Sequence, residues 1–82
     1  MATPADTVTV RLFAGLELST TDRRAQYELS VEEAPTVRAL RAALGLPDGA
    51  TGIVLVNGLH ADDDGPLRAG DAVSLFPPLG GG

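Results

Sequence analysis

The residues with the clearest chemistry to offer stand at the carboxyl end, Phe76-Pro77-Pro78-Leu79-Gly80-Gly81-Gly82. A strand-like run stops at two prolines, which hold their stretch extended and have no N–H to donate to a sheet. Three glycines follow. With no Cβ they can lie flat in a narrow channel and adopt φ values closed to other residues. The tip is a carboxylate, ionised at neutral pH with an ordinary pKa of about 3.3–3.7. It lies four residues past Pro78, a reach of at most about 14 Å. Such a tail reads as built to enter the active site of another protein, with Gly80 and Gly81 threading and Gly82 presenting the group that reacts. On this reading no processing is expected, since Gly82 already stands last. Pro77, Pro78 and Leu79 at its base, with Phe76 and the Leu59 that follows an Asn57-Gly58 turn, are the candidate partner contacts.

The other polar groups offer less. His60 is the only histidine and there is no cysteine, so no nucleophile–base pair or thiolate metal site can be assembled. Asp62-Asp63-Asp64-Gly65 lacks the alternating acids and the later glutamate of a calcium loop, and reads as a solvated acidic turn. It and Glu32-Glu33 are wet surface that can meet basic groups on a partner. Arg23-Arg24 reads as an exposed turn. No phosphate-cradling glycine loop precedes a helix, so the chain itself is expected to bind neither ATP nor metal.

Those groups need a scaffold, and the hydrophobic pattern outlines one. Val8, Val10 and Leu12 alternate with Thr7, Thr9 and Arg11, which predicts a half-buried strand over Thr7 to Phe13, with Phe13 as core. Ala14 to Ala25 is irregular, a broad turn with room for a short helical turn at Leu16–Leu18. Tyr27, Leu29 and Val31 give a second strand. Thr36 caps a helix to Leu44 whose Val37, Leu40 and Leu44 share one face, with Arg38 and Arg41 on the wet side. Gly45 and Pro47 end it. Ile53 to Val56 is continuously apolar, which predicts a strand covered on both faces. Ala61 to Gly70 is loop-like with Leu67 as its inward anchor. Gly70-Asp71 then turns into a last strand, Ala72 to Phe76.

The order strand, strand, helix, strand, strand implies an α+β domain, a small mixed sheet with one main helix packed on one face. It matches the ubiquitin-like β-grasp. Eighty-two residues allow one domain, 1–82, with a flexible tail over 77–82. Eleven acids against six arginines, and no lysine, give a net charge of −5, which argues against a nucleic-acid backbone binder. The longest apolar run, Ile53 to Val56, is far short of a membrane span. The N-terminal residues lack the pattern of a secretory signal, and a cytoplasmic location is expected.

Val10-Arg11-Leu12-Phe13-Ala14-x-Leu16, Val56-Asn57-Gly58 and Leu67-x-x-Gly70-Asp71-x-Val73-x-x-Phe76-Pro77-Pro78-x-x-Gly81-Gly82 together resemble the family of ubiquitin-like sulfur carriers. Within it, the Phe-Pro-Pro step is most similar to the branch that serves as small subunit of molybdopterin synthase. The chain departs from that pattern at Leu16-Glu17-Leu18-Ser19, at Leu79 and at Gly80. The resemblance implies a non-catalytic carrier with several partners. An adenylating enzyme joins the Gly82 carboxylate to AMP from Mg-ATP, and a sulfur donor protein converts the adenylate to a thiocarboxylate. The molybdopterin synthase large subunit then takes up the tail. Carriage of sulfur to thiamine or another metabolite, ubiquitin-like attachment to proteins, and a β-grasp interaction module with an inert tail are the alternatives.

Overall fold

Alternation in the first strand is realised as read. The computed structural model describes residues 6–47 and 49–78, and in it β1 (Thr7–Leu12) buries Val8, Val10 and Leu12 while Arg11 stays exposed. A 3₁₀ turn (Leu16–Ser19) drops Leu16 into the core, and β2 (Gln26–Ser30) returns antiparallel to β1 with Val10 opposite Tyr27. The Tyr27 hydroxyl is not wasted in the interior. It shares a 2.7 Å hydrogen bond with the buried Thr20 hydroxyl and accepts one from the Arg24 backbone N–H.

Helix α1 (Val37–Leu44) forms because its apolar residues recur at helical spacing and both ends are capped. Val37, Leu40 and Leu44 are at most 3% exposed. The Thr36 hydroxyl accepts a hydrogen bond from the Ala39 N–H. The carbonyls of Gly65 and Asp63 accept from the N–H groups of Val37 and Arg38, so the first-turn donors are satisfied. Gly45, at φ 77°, closes the other end with its N–H on the Ala42 carbonyl. Replacing Thr36 with alanine is expected to cost about 1 kcal/mol, read as a lower urea midpoint with an unchanged slope.

Arg41 does not stay on the wet side. Its side chain is only 15% exposed and meets Asp63 at 2.9 Å, while Arg38 reaches Asp64 at 3.3 Å. The acidic turn at 62–65 is thus a strap across the start of the helix rather than a freely solvated loop. Asp63 and Asp64 find counter-ions within the chain while Asp62 and Asp64 stay exposed to solvent, and Leu67 just beyond the turn is buried as expected.

β3 (Ile53–Val56) and β4 (Leu59–His60) form a hairpin around Asn57 and Gly58, both at positive φ, the geometry a tight two-residue turn requires. β4, two residues long, directly follows the turn and is a strand the sequence pattern does not foresee. β5 (Ala72–Phe76) runs parallel to β1 and antiparallel to β3, giving the sheet order β2-β1-β5-β3-β4. The β-grasp architecture is therefore present, with the last strand in the middle.

Because the single helix covers one face only, the prediction for Ile53–Val56 needs correcting. Val54 is buried, whereas Ile53, Leu55 and Val56 are half-buried. Ile53 and Leu55 pair with Phe76 and Ser74 across the ladder, so they share the face that no element of the described residues covers.

Candidate functional site at the base of the tail

The base of the tail, Pro77 and Pro78, is placed by where β5 ends. The final sheet hydrogen bond runs from the Gly52 N–H to the Phe76 carbonyl, 2.7 Å. Pro77 is half-buried and Pro78 exposed, and their backbone lies directly over Gly52. A methyl group built on Gly52 would sit 2.5 Å from the Pro78 Cα, 2.8 Å from its nitrogen and 2.9 Å from the Pro77 carbonyl oxygen. No side chain fits there, so Gly52 is the seat on which the tail base rests. Leu79, Gly80, Gly81 and Gly82, the expected threading and reactive residues, lie outside the described residues.

The start of β5 is fixed just as firmly. The Asn57 side-chain amide donates to Asp71 Oδ1 at 3.0 Å and its oxygen accepts from the Ala72 N–H at 2.9 Å. Asp71 Oδ2 accepts from the Arg68 N–H, and the Asn57 N–H donates to the Ala72 carbonyl. The hairpin turn and the Gly70-Asp71 turn are thereby locked to each other. The register of β3 against β5, and with it the point at which the chain leaves the sheet, is held from the far end.

Beside the seat, Phe13 stacks on Phe76 with ring centroids 4.8 Å apart and planes 12° from parallel. Phe13 is 39% exposed, so it is not a core residue. It follows Leu12, which faces inward, and alternation turns it to the open face. With Ile53 and Leu55 the two rings make an apolar surface beside Pro77 and Pro78. An exposed apolar cluster of this kind marks a contact surface.

Leu59 is highly exposed, at 73%, but the fold does not bring it to Phe76. It pairs with Val56 on β4, at the sheet edge and on the helix side. Among the described residues no group of three His, Cys, Asp or Glu side chains is placed to hold a metal ion. No helix among them is long and apolar enough to cross a membrane. Sequence reasoning missed Gly52 and the Asn57–Asp71 link. For Gly52 no signal existed, since it stands in no turn motif. For the link, the two turn-forming side chains were visible but their partnership was not.

Comparison with known proteins agrees with this geometry. The ThiS family matches over residues 10–82, and no curated protein matches by sequence. SAMP1 from Haloferax volcanii is 29% identical, with a TM-score of 0.68 over 93% of this chain and 99% of that one. The complex of subunits 1 and 2 of molybdopterin-converting factor from Helicobacter pylori contains a chain 27% identical, with a TM-score of 0.61 over 93% and 99%. Urm1 from Trypanosoma brucei shares the fold, with a TM-score of 0.68 at 24% identity over 94% and 96%. With the family match running from the middle of β1 through the tail, the chain belongs to the ThiS family of ubiquitin-like sulfur carriers, small proteins that serve enzymes without being catalysts themselves.

Proposed function

We propose that this chain carries sulfur on the Gly82 carboxylate and delivers it in the assembly of molybdopterin, the organic part of the molybdenum cofactor. The observation that carries the reading is the seating of Pro77–Pro78 on Gly52 at the end of the central strand. It fixes where the chain leaves the sheet, beside an apolar face that no other described residue covers. The carboxylate oxygen attacks the α-phosphorus of Mg-ATP on an adenylating enzyme, and pyrophosphate leaves. A persulfide on the sulfur donor protein then attacks the acyl carbon and AMP leaves. A thiol cleaves the resulting acyl disulfide, and the terminus becomes a thiocarboxylate with the donor left as a disulfide.

Gly80 and Gly81 thread the channel, while Phe76, Pro77, Pro78 and Leu79 make contact at its mouth. Leu59 offers a separate contact at the sheet edge. Likeness to one subunit of the Helicobacter complex and the Phe76-Pro77-Pro78 step favour a molybdopterin synthase large subunit as the final receiver. A second reading, covalent attachment to other proteins, is favoured by the likeness to an archaeal modifier protein. Lacking lysine, this chain could not be extended into branched conjugates through its own side chains.

Incubation with its adenylating enzyme, Mg-ATP and a persulfide donor should make the chain heavier by the difference between sulfur and oxygen. Intact mass should place the gain in the last peptide. Deleting Gly81 and Gly82 draws the carboxylate back by about 7 Å and is expected to abolish the gain while leaving the melting curve unchanged. Restored molybdopterin synthesis in cells lacking the small subunit supports the pathway, and protein conjugates without it support the second reading. An unmodified full-length chain in the complete mixture overturns both.

A further inference from the structure

Between β1 and β5 the open face dips. Thr9, Arg11, Ala72, Val73 and Ser74 line a depression of about 320 Å³. It exists because the outward residues of β5 ahead of Phe76 are the small Ala72 and Ser74, which stand opposite Thr9 and Arg11 in the parallel ladder. Leu55 flanks Ser74 on the other side, and the aromatic pair of Phe13 and Phe76 lies one step further along both strands. The depression is therefore continuous with the surface at the tail base.

Arg11 is its one charged residue. The ion pairs of the described residues join Arg38 and Arg41 to Asp63 and Asp64, and Arg11 takes part in none of them. Glu28 shares the face diagonally across β2, opposite Thr9, and makes no ion pair with it. Arg23, Arg24 and Arg68 are likewise absent from those ion pairs, but Arg11 alone of the four lines the depression beside the apolar surface, with no anion paired to it among the described residues. Resting on the functional reading above, we infer that Arg11 receives a carboxylate side chain of the adenylating enzyme, seated in the depression lined by Thr9 and Ser74, as the tail is delivered.

The guanidinium fork matches a carboxylate in a two-bond geometry. A nucleotide phosphate is a poorer occupant, because one cation does not offset several phosphate charges against the negative field of this chain. The adenylating enzyme is the committed partner because both the carrier and the modifier readings pass through activation first. A charged contact at the rim of an apolar patch sets register and encounter rate more than the rate of chemistry.

The test measures thiocarboxylate formation against carrier concentration, using the intact chain with the purified adenylating enzyme, Mg-ATP and persulfide donor. Arg11→Gln is expected to raise the half-saturating concentration about tenfold and Arg11→Glu about a hundredfold, with the rate at saturation kept. Arg11→Lys should fall between wild type and Arg11→Gln, since it keeps charge but loses the fork. Added salt should weaken wild type more than Arg11→Gln. Arg11 is exposed, so melting curves should coincide and rule out misfolding as the cause. If wild type is sulfurated and Arg11→Glu saturates as readily, this inference fails and the carrier function stands. If wild type is never sulfurated, both fail.

Discussion

Gly52→Val is expected to leave the domain folded and to slow activation of its tail on the order of 100-fold. The new side chain would collide with the backbone of Pro77 and Pro78, not with the end of a movable side chain. Proline rings hold that backbone stiff, so the strain is relieved by swinging the whole tail base off the sheet. An angular error at the base grows along the tail, and a reacting group misplaced by about 1 Å can cost two orders of magnitude. The buried residues of the core do not include Gly52, so the stability loss should stay within about 1–3 kcal/mol, as for other overpacked sites. Gly52→Ala should show a smaller defect of the same kind. Replacing Pro78 with glycine in the valine background should recover part of the rate by letting the chain bend around the obstruction. Single-turnover adenylation, followed as pyrophosphate release, measures this, and a Gly52→Val chain activated at the wild-type rate would refute the seat.

The second large effect belongs to the aromatic pair. Phe13→Asp places a charge on the apolar surface that no other described residue covers, where, on the proposed function, a partner excludes water. A central apolar anchor of this kind is worth about 2–4 kcal/mol on truncation, so kcat/KM for activation should fall about 100-fold or more. Leu59→Asp, two strands from Phe76 and on the helix side, should lower it by no more than about tenfold. Loss of the stack removes an interaction of about 0.5–1.5 kcal/mol, and thermal melts will separate that modest destabilisation from the docking defect. Equal losses for the two variants would show that the contact surface extends around the sheet edge instead of centring on the stack.

The inward-facing half of this fold was legible because it is periodic. Val8, Val10 and Leu12 on a period of two, and Val37, Leu40 and Leu44 on a helical period, each name a strand or helix and the side of it that is buried. Ile53-Val54-Leu55-Val56 and Phe13 were misread for a common reason. Hydrophobicity reports that a residue wants cover but not which molecule supplies it, and here the chain covers Val54 and leaves Ile53, Leu55 and Phe13 available. Arg41 was misplaced because helical periodicity cannot see a loop folding back, and Asp63 is what draws its guanidinium out of water. The importance of Gly52 depends on contact with residues more than twenty positions later. The proline–glycine run could be read as a motif, whereas the glycine packed under Pro77 and Pro78 could not.

Placing the final strand in the centre of the sheet also has a mechanical consequence. On the proposed function, a tail drawn out of a partner's channel would transmit tension along β5, which is bonded to β1 on one side and to β3 on the other. Both ladders lie across the direction of pull and are loaded together in shear, so their bonds resist as a set instead of unzipping singly. Had the tail grown from either edge strand, one ladder alone would have borne the load. On the proposed function, this arrangement is what keeps the sheet intact while the tail is withdrawn.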